Sequence, residues 1–340
     1  MRNLTLFIPG LLGPDTHYSE DFAPGLNSLE RLLSRSDHSP VSPSWYRSLC
    51  ELSGMTLDPD RDVPVGAITR LHDDNQHPEG NWMRADPVHL RPDRDGLNLM
   101  DSFILRLNQH DALAIATEVN KVLAAYGWVM EVPYEDRWYI KMDETTDLTT
   151  TELPAVVGKD IRHYLPKGHD AKKINNILNE IQMQLYSCDL NQLRESNGEL
   201  PINSVWFWGA GKIPADIKLA WSVVFSDETF VRGLARRAGK PCHAVPAEFD
   251  SVLAACKDDD DVMIVLQHCQ APTQYQNLML WHEALKLLEQ NWFQQLPALL
   301  QKGNVCKLSI IGDGHRFTTS WMGMKRFWRK PVPIGNYRKL

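Results

Sequence analysis

Four short apolar segments limit what this chain can fold into more than any other feature of its sequence. They occupy residues 4–8, 205–208, 262–266 and 307–311, and each is followed by glycine or polar residues. Amphipathic helical stripes lie between them in the outer parts of the chain. Short apolar runs that alternate with helices are typical of a mostly parallel sheet covered by helices. We therefore predict an α/β fold.

The middle of the chain has a different pattern. Residues 102–107 alternate like a strand, and residues 119–126 form a helical stripe that ends at a glycine. Two further strands, 128–132 and 137–142, flank a hairpin signal. A strand, a helix and a hairpin in close succession indicate a small α+β domain. We predict a first part of the core at 1–92, an inserted α+β domain at 93–190, and a second part of the core at 191–340.

Charge and hydropathy exclude several classes of partner. The chain has 36 basic and 43 acidic residues and a net charge of −7, so it lacks the basic excess that general binding of nucleic acid or anionic membranes requires. No apolar run approaches the roughly 18 residues that span a bilayer. The N-terminal segment has no cleavage site and is interpreted as the first strand, and the six scattered cysteines form no CxxC pair. These features predict a cytoplasmic protein.

Two glycine-containing segments invite comparison with known catalytic loops. Residues 7–13 are of the kind found in the oxyanion loop of α/β-hydrolases, but no G-x-S-x-G pentapeptide accompanies them, which excludes that class. Gly209 and Gly211 lie before a lysine, yet the segment lacks the full phosphate-loop pattern. A glycine turn at a strand end still presents backbone N–H groups to an anion. A plain turn and an anion-binding loop therefore both remain open.

Residues 70–89 are the densest polar segment. We interpret the part from His72 to His77 as a surface loop whose charges pair with one another. Arg84 and Asp86 are more informative, because an aspartate that holds a guanidinium is a common arrangement in phosphate sites. His89 closes the segment. Arg84, Asp86 and His89 are therefore predicted ligand-binding residues.

Two further polar groups lie beside predicted strands. Asn191, Arg194 and Asn203 occur between an amphipathic helix and an apolar strand, where they either bind a ligand or cap the helix and bond the loop. His268 follows the strand at 262–266, and Asp313 with His315 follows the strand at 307–311. The carboxyl ends of parallel strands meet at one edge, where ligands bind. These last three residues are candidate ligands for a metal such as Mn or Mg, with an interior or capping role as the alternative.

Several segments together resemble a known family. They are Asn191-x-x-Arg194, Asn203 followed by a strand and Gly209-Ala210-Gly211, the run WMRADPVHL at 82–90, and residues 180–186 and 327–329. The chain resembles cofactor-independent phosphoglycerate mutases of archaeal type. It is more similar to a bacterial group labelled phosphoglycerate-mutase-like, or regulatory protein of RpfE type. The resemblance implies an alkaline-phosphatase-like core, with an inserted domain over its active face. We predict ligand contacts at Arg84, Asp86, His89, Asn191, Arg194, Asn203, Gly209 and Gly211.

The chain departs from this family where the chemistry is carried. Active members use two divalent metals and a Ser or Thr nucleophile. Here Pro9-Gly10 follows the first strand in place of an aspartate, and Trp45 lies near the expected nucleophile, with Ser44 one residue away. Residues 267–272 lack the acidic and histidine pair of the family. Only Asp313 and His315 still resemble a metal segment.

Three hypotheses follow. The first is a degenerate phosphoglycerate-mutase-like protein that binds a small anionic or phosphorylated molecule or acts as a regulator. It has no nucleic-acid or membrane partner, and its protein partner and cofactor are not assigned. The second is an active metal-dependent phosphomutase or phosphohydrolase, with Ser44 as candidate nucleophile and Mn or Mg at His268, Asp313 and His315. The third is a structural protein whose polar cluster organises the core.

Overall fold

The computed structural model describes residues 3–15, 25–74, 79–94, 96–142 and 147–339. The chain packs as two compact units, the first formed by Met1–Thr56 and Asp216–Leu340 and the second by Leu57–Ala215. The predicted insertion at 93–190 lies inside the second unit. That unit begins and ends further out, because a strand at 81–93 pairs with one at 204–211. The division into an inserted domain and two core parts stays a prediction.

Strands and helices are distributed along the whole described chain. The strands are β1 (Asn3–Phe7), β2 (Asp37–Pro40), β3 (Asn81–Asp93), β4 (Gly96–Met100), β5 (Met130–Tyr134), β6 (Arg137–Met142), β7 (Ser204–Gly211), β8 (Val223–Phe225), β9 (Cys242–His243), β10 (Asp261–Val265), β11 (Lys307–Gly312) and β12 (His315–Ser320). The helices are α1 (Asn27–Ser34), α2 (Trp45–Leu52), α3 (Val65–Asp73), α4 (Ser102–Leu105), α5 (Gln109–Leu123), α6 (Leu153–Val156), α7 (Ala171–Tyr186), α8 (Asp189–Ser196), α9 (Thr229–Arg237), α10 (Phe249–Ala255), α11 (Gln270–Gln274), α12 (Leu278–Leu288), α13 (Leu296–Lys302) and α14 (Trp321–Met324). Among the described helices, none has both the length and the apolar character needed to cross a bilayer.

A mostly parallel sheet forms the centre of the first unit. Its seven strands run in the order β2-β12-β11-β1-β10-β8-β9; the strands from β11 to β9 pair in parallel, and β12 is antiparallel to both of its neighbours, β11 and β2. Side chains alternate along β1, so Leu4 and Leu6 enter a core with Trp281 and Trp292, while Thr5 faces the other side of the sheet. The predicted class, a mostly parallel sheet covered by helices, is confirmed.

An antiparallel sheet forms the second unit. Its strands run in the order β4-β3-β6-β5, and β7 pairs with β3. The 13-residue strand β3 organises the sheet, because it pairs with β4, β6 and β7. Helices α5 and α7 contribute Ile115 and Ile181 to a core shared with Met83 and Trp138. The predicted hairpin is present as β5 and β6.

The strand predicted at 102–107 was wrong, because this segment contains α4. Asp101 caps the helix, and its side chain accepts a hydrogen bond from the N–H of Phe103. Arg106 then ends the helix in a left-handed conformation with φ of +48°. The capping residue Asp101 favours a helix at this position, and the alternation of apolar residues over 102–107 does not distinguish this short helix from a strand.

Candidate functional site

Asp313 lies in a hairpin turn. β11 and β12 are antiparallel and are joined by Asp313 and Gly314, with φ values of +52° and +85°. Asp-Gly is a preferred pair for such two-residue turns. The two carboxylate oxygens accept hydrogen bonds from the N–H groups of Gly10 (2.8 Å) and Leu12 (2.7 Å). Asp313 thus fixes the loop that follows β1.

His315 is paired with another histidine. Its Nδ1 atom is 2.8 Å from Nε2 of His38, and both rings pack near Phe317. Desolvation lowers the pKa of His315, and the nearby His38 lowers it further. The neutral ring of His315 is therefore favoured, and its hydrogen bond with His38 joins β2 to β12. His268 lies on the exposed segment after β10.

These residues do not fit the divalent-metal site that the resemblance implies. In the described part of the chain, no three His, Cys, Asp or Glu side chains are grouped to hold a metal ion, and this includes His268, Asp313 and His315. Mn²⁺ and Mg²⁺ prefer several oxygen ligands around one ion. The oxygens of Asp313 face two N–H dipoles, whose positive ends repel a cation. We therefore derive no chemistry through a metal at these residues.

Ser44 is the N-cap of α2. Its hydroxyl oxygen accepts a hydrogen bond from the N–H of Arg47 at 3.1 Å. The next residue, Trp45, packs its ring against Phe7 and Tyr46. These contacts give Ser44 a role in starting the helix, and its role as a nucleophile stays a prediction.

Arg84 and Asp86 form a buried ion pair. The Nε and Nη2 atoms of Arg84 lie 2.9 and 2.7 Å from Oδ1 of Asp86. The guanidinium lies over the rings of Tyr139 and Trp208, and Trp208 donates its indole N–H to Asp86 at 2.7 Å. Burial raises the pKa of Asp86, against the lowering effect of Arg84. The pairing predicted from the sequence is present, but its polar groups are directed at each other.

More charged groups surround this pair than the sequence indicated. Asp73 is fully buried, accepting hydrogen bonds from Tyr139 (2.5 Å) and from Nε of Arg137 (2.9 Å). Arg70 stacks over Trp82 and Tyr139. Tyr139 contacts Arg84, Arg70 and Asp73, and so connects these charged side chains. It was not identified from the sequence. The signal for Tyr139 was the alternation of side chains along β6, which places it on the same face of the sheet as its cross-strand neighbour Arg84 of β3. His77 lies outside the described residues.

Asn191 and Asn203 are bonded to backbone groups. The amide of Asn191 donates to the carbonyls of Leu185 (2.9 Å) and Ile202 (2.8 Å), and its oxygen accepts the N–H of Ile202. Asn203 accepts from the N–H of Leu90 and donates to the carbonyl of the same residue. Asn203 extends the pairing of β7 with β3, and Asn191 joins α8 to the end of α7 and to the segment before β7. This arrangement matches the capping and loop-bonding alternative.

Arg194 and His89 bond backbone carbonyls in the same way. Arg194 is buried, and its guanidinium donates to the carbonyls of Leu105 (2.8 Å) and Leu200 (3.0 Å). Nδ1 of His89 is 2.8 Å from the carbonyl oxygen of Pro201. Burial lowers the pKa of His89, so the neutral ring is favoured. Arg194 and His89 thus both bond backbone carbonyls, and their contact with a ligand stays a prediction.

The glycine turn at the end of β7 binds an anion that belongs to the protein itself. The N–H of Ala210 donates to Asp62 at 3.2 Å, and the N–H of Gly209 donates to the hydroxyl of Thr150 at 3.1 Å. Thr150 also donates its N–H to Asp62, and Gly211 completes the strand. Burial raises the pKa of Asp62, while these hydrogen bonds oppose the rise. An internal carboxylate occupies the position predicted for an external anion.

A small cavity lies on the polar face of the parallel sheet in the first unit. Its volume is about 170 Å³, and it is lined by Asn3, Thr5, Leu52, Ala220, Trp221, Asp261, Lys307, Ser309, Ile311 and Arg316. Nε of Arg316 is buried, with no hydrogen-bond partner among the described residues. Asp261 is bonded by the amide of Asn3. Lys307 and Arg316 leave the lining with a net positive charge.

Comparisons with known proteins indicate a relationship to phosphoglycerate mutases. No family model matches the chain. It is 26% identical over 188 residues to the 2,3-bisphosphoglycerate-independent phosphoglycerate mutase of Methanothrix thermoacetophila, an alignment that covers 51% of this chain and 47% of that protein. It is 36% identical over 59 residues to a probable 2,3-bisphosphoglycerate-independent phosphoglycerate mutase of Geobacter sulfurreducens, covering 17% of this chain and 15% of that protein.

A solved structure shares the fold. The PH0037 protein from Pyrococcus horikoshii superimposes with a TM-score of 0.52 at 13% identity, covering 94% of this chain and 87% of that chain. The match extends over both units. In the sequence alignments, by contrast, the chain spans about half or less of the length of the two curated relatives named above. The comparisons support a phosphoglycerate-mutase-like relationship, and membership of the regulatory bacterial group stays a prediction.

Proposed function

We propose that this chain is a phosphoglycerate-mutase-like protein with a degenerate metal site, which binds a small anionic or phosphorylated molecule and does not transfer phosphate. The observation that carries the proposal is the use of Asp313. Both of its oxygens accept backbone N–H groups from the loop after β1. A two-metal phosphotransfer site needs such carboxylates to coordinate the metal ions, which polarise the phosphate. In this chain the carboxylate stabilises a loop instead.

The cavity beside Arg316 supports the binding half of the proposal. A buried guanidinium N–H without an acceptor costs about 1–3 kcal/mol, and the oxygen of a bound anion would remove that cost. Lys307 adds a second cation, and Ser309 adds a hydroxyl. At about 170 Å³ the cavity is smaller than the roughly 300 Å³ at which pockets for larger ligands begin. It therefore suits inorganic phosphate or the phosphate group of a small ester.

Measurements of metal content and turnover test whether the metal site is degenerate and phosphate transfer is absent. The purified chain is analysed for bound metal and assayed for interconversion of 2- and 3-phosphoglycerate and for phosphate release, with and without Mn²⁺ or Mg²⁺. We expect no stoichiometric metal and no turnover, and the same result for Asp313→Ala. Turnover that EDTA abolishes and that Asp313→Ala removes would refute the proposal and establish an active phosphomutase or phosphohydrolase.

Calorimetric titration with inorganic phosphate and 3-phosphoglycerate tests the second half. We expect saturable binding that weakens at least tenfold in Arg316→Gln and several-fold in Lys307→Gln. Lys302→Gln, an exposed position at the end of α13 that does not line the cavity, is the matched control and should bind as the unchanged protein does. Equal binding by all variants, or no binding by any, would refute the anion site.

A further inference from the structure

The second unit contains a larger cavity of different chemistry. Its volume is about 310 Å³, within the range of about 300–1,000 Å³ typical of small-molecule pockets. It is lined by Leu90, Leu97, Ile161, Arg162, Leu165, Asn175, Leu178, Asn179, Gln182, Ser204, Val205 and Trp206. None of the ligand contacts discussed above lies among these residues.

Apolar side chains form most of this lining. Leucine, isoleucine and valine side chains come from β3, β4, α7, β7 and the turn at 161–163. Trp206 donates its indole N–H to the carbonyl of Thr151 at 2.8 Å, so its polar atom is already bonded. Its ring is then available as an apolar wall. Burying an apolar ligand against such a surface is favourable in proportion to the area covered.

Three amides of α7 line the same cavity. Asn175, Asn179 and Gln182 are spaced by four and three residues, which places them on one face of the helix. In the described part of the chain, none of the three amides makes a hydrogen bond or an ion pair. A row of unbonded amides beside an apolar wall offers donors and acceptors at defined positions. Such amides bind carbonyl, amide or heteroaromatic edges.

The charge of the cavity is balanced. Among the described residues that line it, the one cation is Arg162, which is paired with Asp160, with Nη2 and Nε at 2.6 and 2.7 Å from the carboxylate. Asp160 is itself held by the N–H groups of Leu97 and Arg162. Within the described part of the chain, this lining has no unpaired positive charge to attract an anion. In this respect it differs from the cavity beside Arg316.

We propose that this cavity binds a neutral small molecule with an apolar or aromatic body and a hydrogen-bonding edge, which the amides of α7 recognise. The apolar lining supplies the binding energy, and the amides orient the ligand. The proposal is independent of whether the chain transfers phosphate, and it concerns a ligand of a different class from a phosphate ester.

The test uses two fluorescent probes of comparable size. Prodan is neutral and carries a carbonyl acceptor, whereas 8-anilino-1-naphthalenesulfonate is an anion. We expect prodan to bind at one saturable site with a blue-shifted emission, and the sulfonate to bind at least tenfold more weakly. Equal or tighter binding of the sulfonate would overturn the assignment to a neutral ligand.

Variants on α7 locate the site. Asn179→Trp fills the cavity from an exposed helix position and should weaken prodan binding at least tenfold. Met183→Trp adds the same ring to the same helix outside the cavity, at a side chain that is 75% exposed, and should leave binding unchanged. Equal effects of the two variants would overturn the location.

A double variant separates recognition by the amides from simple apolar adhesion. Asn175→Leu with Gln182→Leu makes the lining more apolar but removes two amides. If the amides recognise the ligand, prodan binds several-fold more weakly, and its blue shift changes because the carbonyl loses hydrogen bonds. Unchanged or tighter binding would overturn the role of the amides. Circular dichroism and the melting temperature confirm that each variant is folded.

Discussion

Replacing Arg194 by alanine should destabilise the second unit without affecting phosphate binding. The change leaves the carbonyls of Leu105 and Leu200 without their donor. It also removes the cation near Asp111, whose carboxylate lies 3.5 Å from the guanidinium and whose side chain is only 17% exposed. A buried acceptor left unsatisfied costs about 1–3 kcal/mol. We expect a total loss of about 3–5 kcal/mol in the free energy of unfolding, similar to the loss of one partner of a buried ion pair.

Urea unfolding followed by circular dichroism and tryptophan fluorescence measures this loss. If the two units unfold separately, only one transition should shift. Arg194→Lys keeps the charge but lacks the planar fork, so its loss should be intermediate. Leu193→Ala is the matched control at a neighbouring side chain that is 57% exposed, and it should change stability by less than about 0.5 kcal/mol. A loss below about 1 kcal/mol for Arg194→Ala, or weakened phosphate binding in a fully folded variant, would refute the structural role.

Three further substitutions test other contacts. Asp313→Ala should lower the free energy of unfolding by about 1–3 kcal/mol, because it leaves the N–H groups of Gly10 and Leu12 without an acceptor, as urea unfolding would show. Gly209→Ala should lower it by at least about 1–2 kcal/mol, because φ is +65° and the added Cβ would lie 2.9 Å from a neighbouring side chain, and thermal unfolding would measure the change. The pKa of His315 is lowered in the folded chain, so the unfolded chain binds more protons in acid, and stability should fall as the pH drops below about 6.5. This fall should be smaller in His315→Gln, and an identical pH profile for both proteins would contradict the assignment.

Periodic patterns in the sequence predicted most of the fold. Continuous apolar runs located β1, β7, β10 and β11, and the helical stripe at 119–126 located the C-terminal part of α5. Each of these segments packs against a buried core, so its apolar residues follow the pattern of a strand or of a helix, which can be identified in the sequence. The strand β3 was missed, because its buried residues include Arg84 and Asp86, which pair in the structure but belong to the densest polar segment of the sequence.

The site was harder to predict, because a side chain that bonds backbone carbonyls looks the same in sequence as one that binds a ligand. Arg194 and Asn191 have partners in the main chain, and a backbone carbonyl leaves no mark on the residue type. Asp313 is different, since Asp-Gly between two apolar runs is a strong hairpin signal. The similarity to a metal segment obscured that signal. Asp62, Asp73 and Tyr139 depend on contacts between distant segments, for which one sequence contains no direct evidence.

The position of β1 has a consequence for how the chain is made. Its two partners, β10 and β11, are synthesised about 250–300 residues later, although all three strands are adjacent in the finished sheet. At about 5–20 residues per second, an apolar strand emerges from the ribosome roughly 15–60 s before its second neighbour exists. The second unit, encoded in between, can complete its own sheet during that delay. The nascent chain therefore has an interval in which LTLF is exposed, and chaperone binding to this segment should be greatest then.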